Sequence, residues 1–229
     1  MDLSIVILTS EEVENIQRIL PEVKLTTEIL TKDYEILIID NNSRDGTDGA
    51  AQALGAQVIK QKSPGFGNAL KEGFREAKGN AILTLDADFS HPPEFILSLW
   101  NHRKNDIVIA SRWVKGDGSD QSSSRKFLSL FMNIVFRAVC GIETRDLNSN
   151  FRLYRREAIA SLPLEGTHFE ILPEILIKAR ARGYTIKEVP FHYRQRKKGS
   201  SKLRILTFGY SYFIMLLRLA LFRFISPRH

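Results

Sequence analysis

Ala81-Ile82-Leu83-Thr84-Leu85-Asp86-Ala87-Asp88 sets an apolar run of strand length directly ahead of two carboxylates two residues apart. Side chains at i and i+2 of an extended chain face the same way, so both acids converge beyond the end of the strand. A strand this uniformly apolar is covered on both faces, as in a parallel sheet. Open α/β sheets hold their ligands outside the carboxyl ends of such strands. N-capping of the helix that Pro92-Pro93 opens would use Asp88 or Ser90 and leave the other acid unexplained.

The same format recurs upstream, where Ile36–Ile39 ends in Asp40-Asn41-Asn42-Ser43-Arg44-Asp45-Gly46-Thr47. These groups could accept from a nucleobase or ribose, although Asn, Asp and Gly dominate turns in any case. Further outward, strand-like runs at 3–8, 34–39, 56–60, 81–85 and 106–110 alternate with amphipathic stretches at 13–30, 48–54, 69–77 and 94–100. That alternation predicts an α/β fold, a mostly parallel central sheet flanked by helices. Past Ser111 the rhythm changes to a Gly/Ser/Asp-rich loop at 115–124 and an apolar helix at 127–142 with Ser129 and Asn133 on one side. Strand, helix and strand follow at 151–154, 171–182 and 185–191, then a basic Gly/Ser loop at 194–202 and a long apolar helix at 203–225.

The 229 residues are 43% hydrophobic and 26% charged, which excludes disordered and disulfide-scaffold classes. Cys140 is the only cysteine, in keeping with a reducing compartment. The run Ile5–Leu8 is too short for a signal peptide and has no basic stretch before it, so it reads as a first strand. Charge is unevenly spread. Residues 178–229 hold 13 Lys/Arg against the single acid Glu188, while residues 1–177 carry 20 bases and 25 acids. A basic, aromatic C-terminal part calls for an anionic partner, and nucleic acid, membrane surface and phosphate ligand all qualify. The helix at 203–225 is interrupted by Arg218 and Arg223, short of the roughly 18 consecutive apolar residues a membrane span takes. It is expected to lie in the interface with its arginines toward lipid phosphates. Packing on its own domain, an anchoring subunit or a second copy is the competing reading.

Two carboxylates held close repel each other, and a divalent cation relieves that cost. Mg²⁺ or Mn²⁺ bound by Asp86 and Asp88 is therefore expected, with the substrate's phosphates completing the shell. The glycine pair in Ser63-Pro64-Gly65-Phe66-Gly67-Asn68-Ala69 departs from a dinucleotide fingerprint, since Leu70 stands at the third glycine position. Basic groups at Arg112, Arg125-Lys126 and Arg196 to Lys202 fall at strand ends and helix starts, where they suit phosphate.

Taken in order, these pieces resemble family 2 glycosyltransferases of the GT-A fold, specifically polyprenol-phosphate (dolichol-phosphate) mannosyltransferases. Asp86-Ala-Asp88-Phe-Ser90-His91-Pro92-Pro93-Glu94 is similar to D-A-D-x-Q-H-P-P-E, and Ala110-Ser111-Arg112-Trp113-Val114-Lys115-Gly116 to G-S-R-Y-V-x-G. Arg125-Lys126-Phe127-Leu128-Ser129 matches R-K-x-x-S, and Arg196 through Leu203 matches R-x-x-G-x-S-K-L. The chain departs at Ser10 and Asn41, at Ser90 where the pattern has Gln, and at Asn150 where D-x-x-S-G-F has Gly.

The resemblance implies a GT-A catalytic domain over 1–202 and an amphipathic interfacial helix over 203–229. It implies an inverting, metal-dependent transfer of a hexose, mannose from GDP-mannose first, to a polyprenyl phosphate at the cytoplasmic face of a membrane. Asp86, Asp88 and Arg112 would be catalytic, with Asp86, Asp88 and Ser90 on the metal. Thr9, Glu12, Asp40, Asn41, Ser43 and Gly67 would hold the nucleotide-sugar; Arg112, Arg125, Ser129, Arg196 and Lys202 would hold the acceptor phosphate. Other donors such as UDP-glucose remain open. So does a sugar-hydroxyl acceptor, which would need a carboxylate base such as Asp146 or Glu170. A nucleic-acid partner finds no recognition motif and poor surface in the apolar helix.

Overall fold

Seven strands, β1 (Leu3–Thr9), β2 (Tyr34–Asp40), β3 (Gln57–Lys60), β4 (Ala81–Asp86), β5 (Ile107–Ser111), β6 (Arg152–Arg155) and β7 (Ile186–Pro190), form one sheet in the order β3-β2-β1-β4-β6-β5-β7. The computed structural model describes residues 1–114, 123–193 and 205–225, with all their side chains except those of 123–126, 128, 205–210 and 222–225. All strands are parallel but β6, which pairs antiparallel with both β4 and β5. The register sets Thr9 opposite Asp40 and Leu8 opposite Asp86, so the polar groups after β1, β2 and β4 emerge at one level.

The alternation of side chains along β1 explains the two covered faces. Leu3, Ile5 and Ile7 pack with Ile16, Ile19, Leu20 and Val23 of α1 (Val13–Leu30), and α2 (Thr47–Ala53) and α4 (Ile96–Asn101) lie alongside α1. Val6, with Leu37 and Ile39, meets α3 (Phe66–Glu76) on the opposite face. There Gly73 is obligatory in size, because a Cβ would stand 2.5 Å from Val6 Cγ1. The spacing i, i+3, i+4, i+7 in α1 is that of a helix burying one stripe.

The expected elements form, with two differences. A short α6 (Arg156–Ala160) follows β6. The reversal of β6 also escapes a periodicity reading: the excursion through α5 (Ser123–Cys140) returns the chain to the edge where β5 ended, so the next strand must run back. α7 (Ile171–Ala181) is buried almost all round and carries the buried pair Glu174–Lys178 at 2.7 Å.

α8 (Ile205–Ile225) does not stand apart from the body. Met215 and Leu219 join the core formed with α5 and α7, Tyr212 packs edge-on against Phe136, and Arg218 Nη1 bonds Glu165 Oε2 at 3.1 Å. The competing sequence reading, packing on its own domain, describes this inner face. Arg218 is directed to a carboxylate of the body where the sequence suggested lipid phosphate. Outward, Phe213, Leu217 and Leu221 of α8 and Phe127, Leu130, Phe131 and Ile134 of α5 are exposed. No helix among the described residues is long and apolar enough to cross a membrane.

Candidate active site

Six parallel strands deliver their last residues, Thr9, Asp40, Lys60, Asp86, Ser111 and Pro190, to a single edge of the sheet. Among the described residues three non-glycine positions adopt positive φ, Glu11 (57°), Asn42 (53°) and Phe89 (60°), each within three residues of the end of β1, β2 or β4. Such a conformation costs roughly 1–2 kcal/mol for a residue with a Cβ, and strain of this kind gathers at ligand sites.

Asp86 and Asp88 lie in the middle of that edge. Asp86 is partly exposed and its Oδ1 accepts from Asn150 Nδ2 at 3.0 Å. Asp88 is buried, and its Oδ1 accepts from the Ser90 N–H at 3.0 Å. The Asp86 N–H donates to His91 Nδ1 at 2.9 Å, and the His91 ring stacks on Phe151 with centroids 4.9 Å apart. Burial pushes the His91 imidazole below its ordinary value despite the nearby carboxylates, so at neutral pH it is an uncharged acceptor that braces the strand end. Ser90 Oγ and Asn150 Oδ1 are buried and have no hydrogen-bond partner among the described residues. No group of three or more His, Cys, Asp or Glu among the described residues could hold a metal by itself. The donor set is therefore two carboxylates and neutral oxygens, hard ligands that fit Mg²⁺ or Mn²⁺ when phosphate oxygens complete the shell.

The groups expected on the nucleotide are arranged differently from the sequence picture. Asp40 is fully buried, accepting from Thr9 Oγ1 (3.1 Å), the Ser43 N–H (3.0 Å), Ser43 Oγ and Lys60 Nζ (2.9 Å). Burial alone would raise its carboxyl; the Ser43 and Lys60 hydrogen bonds outweigh that and hold it below the usual carboxylate range. Thr9, Asp40 and Ser43 are thus bonded to one another and tie the ends of β1, β2 and β3 together. Asn41 is exposed, and half-buried Glu12 accepts from Asn15 Nδ2 at 2.6 Å. Gly67 N–H donates to Thr167 O at 2.9 Å, and a Cβ would stand 2.6 Å from Gly166 O, so the glycine permits close packing of the 165–168 loop.

Arg112 is buried beside Asp146, with Nε to Oδ2 and Nη2 to Oδ1 both at 2.7 Å. Burial would raise the Asp146 carboxyl, but the Arg112 charge and hydrogen bonds hold it below the ordinary range. The bidentate edge expected to grip phosphate therefore grips Asp146, and Nη1 is outside that pairing. Asp146 also accepts from the backbone N–H of Arg112, Asn148 and Ser149, which leaves it ill suited to act as a base. Nearby, Trp113 Nε1, Ser129 Oγ and Asn133 Nδ2 are buried and have no hydrogen-bond partner among the described residues. Asn133 Oδ1 accepts from the Leu147 N–H (3.1 Å) and Asn148 Nδ2 (3.0 Å), and Tyr212 OH donates to Asn148 Oδ1 (2.9 Å). Arg196, Lys202 and the side chain of Arg125 lie outside the described residues.

Several contributors had no motif of their own in the sequence. Lys60 carried only its place at a strand end. Glu188 accepts from Ser111 Oγ and the N–H groups of Arg145 and Asp146, and its one signal was being the lone acid among residues 178–229.

The family model described as Glycosyl transferase family 2 matches residues 4–162. The chain is 34% identical over 215 residues to "Dolichol-phosphate mannosyltransferase" of Pyrococcus furiosus, covering 89% of this chain and 60% of that protein. It is 30% identical over 206 residues to "Undecaprenyl-phosphate 4-deoxy-4-formamido-L-arabinose transferase" of Pseudomonas fluorescens, covering 87% and 59%. The chain thus spans about three fifths of the length of these relatives. In fold it is similar to glucosyl-3-phosphoglycerate synthase from Mycobacterium tuberculosis, a structure solved with Mn²⁺, UDP and glucosyl-3-phosphoglycerate. The TM-score is 0.74 at 20% identity, over 96% of this chain and 80% of that one. The architecture is GT-A-like, as expected.

Proposed function

The chain belongs to glycosyl transferase family 2, and from that premise we propose that it moves a hexose from a nucleotide-sugar to a polyprenyl phosphate, inverting the anomeric centre. One observation carries the pairing of substrates. Among the described residues, the buried polar atoms without partners around Asp86 and Asp88 include the Asn150 carbonyl oxygen, an acceptor, and the Ser90 hydroxyl; near Arg112 and on α5 they include the N–H groups of Trp113 and Asn133, donors that suit an anion, and the Ser129 hydroxyl.

In this reading Asp86 and Asp88, with Ser90 close by, hold Mg²⁺ or Mn²⁺. A bound cation supplies neutralisation of the charge that grows on the leaving nucleoside diphosphate. Asn41 and Glu12 are the exposed or half-buried groups left for the nucleoside side, on a frame fixed by Asp40. The acceptor phosphate is already ionised, its second pKa being about 6, so it needs positioning more than a general base. Ser129, Asn133 and Trp113 would donate to it beside the Arg112–Asp146 pair, with Arg125, Arg196 and Lys202 assigned to the same phosphate from their motifs. Attack on the face opposite the leaving diphosphate gives inversion.

The donor we assign first is GDP-mannose: mannose is the sugar in the name of the Pyrococcus furiosus relative, and guanine is our assignment from the motif resemblance; UDP-glucose is the alternative, since the structure of similar fold holds UDP. Incubating the protein and Mn²⁺ with labelled GDP-mannose or UDP-glucose and a short polyprenyl phosphate tests both. Label should appear in a lipid-extractable product from one donor. Transfer to free sugars with none to the lipid phosphate would overturn the acceptor assignment.

A lipid tail keeps that phosphate at a bilayer, and we assign the exposed apolar face of α5 and α8 to the membrane surface, peripherally and on the cytoplasmic side. Fully burying a Phe side chain contributes about 1.5–3 kcal/mol. Phe131→Glu combined with Phe213→Glu should therefore weaken co-sedimentation with phosphatidylserine-containing vesicles by roughly 100-fold or more. High salt should release the unaltered protein only in part. Unchanged vesicle binding by the double variant would remove this face from the membrane and assign it to a subunit contact.

A further inference from the structure

We infer that Asn150 is a positioning residue of the cation site, supplying the carboxamide that holds Asp86 and accepts from the cation's water shell. The inference rests on the proposed metal-dependent reading and deepens it.

Asn150 sits just ahead of β6, the strand that pairs antiparallel with β4, and so beside the strand that carries Asp86. Its backbone is fixed there, because Asn150 O accepts from Thr84 Oγ1. The residue is 4% exposed, and its Nδ2 reaches Asp86 Oδ1 at 3.0 Å. That bond occupies one oxygen of the carboxylate and fixes its plane. The other end of the amide, Oδ1, is a buried acceptor with no hydrogen-bond partner among the described residues. A buried carbonyl oxygen left without a donor is costly, by about 1–3 kcal/mol, and water on a divalent cation is the donor that the neighbouring acid pair would bring.

Ser90 completes the argument from the other side. Its N–H holds Asp88 Oδ1, while its fully buried Oγ also has no partner. In the motifs quoted from the sequence the pattern carries Gln at position 90 and Gly at position 150; here the residues are Ser and Asn. Here a carboxamide reaches Asp86 from just ahead of β6. Groups that orient metal ligands in this way typically contribute 10–100-fold in metal affinity.

The test measures Mn²⁺ affinity directly, from the electron paramagnetic resonance signal of free Mn²⁺ titrated against protein, with UDP and with GDP in separate series. Asn150→Leu keeps the volume and removes both donor and acceptor; Asn150→Gly removes the side chain. Each should raise the Mn²⁺ Kd about 10-fold or more, in protein whose circular dichroism matches the unaltered chain. Ser90→Gln added to Asn150→Gly should recover part of that loss, which a general loosening of the loop would not allow. Unchanged Kd in Asn150→Leu, or a double variant no tighter than Asn150→Gly, overturns the inference while leaving the cation site in place. Absence of Mn²⁺ binding by the unaltered protein with either nucleotide overturns both.

Discussion

Replacing Asp88 with Ala is expected to lower sugar transfer by about 1,000-fold, the largest single effect on activity that this site should show. The estimate follows from what the carboxylate would hold. Stabilising charge on a departing diphosphate is worth several kcal/mol, and each 1.36 kcal/mol is tenfold in rate. Asp88 is the more deeply placed of the two acids, at 4% exposure, and its Oδ1 is already oriented by the Ser90 N–H. Asp86 is more open and is held by Asn150, so Asp86→Ala should cost less than Asp88→Ala while still acting through the cation. Excess chelator on the unaltered protein should match the Asp88 variant, and added Mn²⁺ should restore the former but not the latter. Initial rates with labelled donor measure all three arms. Full activity in chelator, or in Asp88→Ala, would remove the cation from the reaction.

The fold was largely legible because its signals are local. Apolar runs such as Ile36–Ile39 and 81–85 can be covered only on two faces, and amphipathic stretches between them supply the cover. The edge where Asp86 emerges follows from parallel pairing, but β4 ends at Asp86 and Ala87-Asp88 form a turn, so strand pleating does not by itself place the second acid; both nonetheless lie near enough to His91 to act on its imidazole. The reversed β6 was not legible, since direction depends on which edge the chain returns to after α5, a matter of three-dimensional path rather than of period. The fate of each polar group also lay beyond the sequence. Arg112 and Asp40 carry the residue types expected of phosphate and nucleobase contacts, yet both are occupied by partners 34 and 20 residues away, Asp146 and Lys60. Asn150 was visible only as a departure from a motif, and its bond to Asp86 spans 64 residues. α8 combined two signals, an apolar stripe for Met215 and Leu219 to bury and a second stripe at Phe213, Leu217 and Leu221, and periodicity could not say which faced the body.

Asp146→Ala should destabilise the protein by about 3–5 kcal/mol, because it leaves the buried Arg112 charge without its partner. Three backbone N–H groups, of Arg112, Asn148 and Ser149, lose their acceptor in the same step. Since a domain is typically stable by only about 5–15 kcal/mol, urea unfolding should show a markedly lower midpoint. Removing both partners should cost less than the sum of the single losses, so Arg112→Leu with Asp146→Leu is expected to exceed Asp146→Ala in stability. The pair also fixes how stability depends on pH. Asp146 has a folded-state value below its ordinary 3.8, so its contribution is complete above that value and is lost as pH falls through the folded one. His91, buried and neutral, is likewise below its ordinary 6.5, so stability first declines as pH drops under 6.5 and the unfolded chain takes up the proton. Acid unfolding should therefore run in two portions, an upper one governed by His91 and a lower one by the carboxylates held below their ordinary value, Asp40 and Asp146 among them. In Asp146→Ala the lower portion should lose the Asp146 share and keep that of Asp40 while the upper one persists, and in His91→Gln the upper portion should be lost while the lower one persists. Equal unfolding midpoints for Asp146→Ala and the unaltered protein at pH 7 would show that Arg112 finds solvent or another partner, and with it the freedom to meet the acceptor phosphate through its whole guanidinium edge.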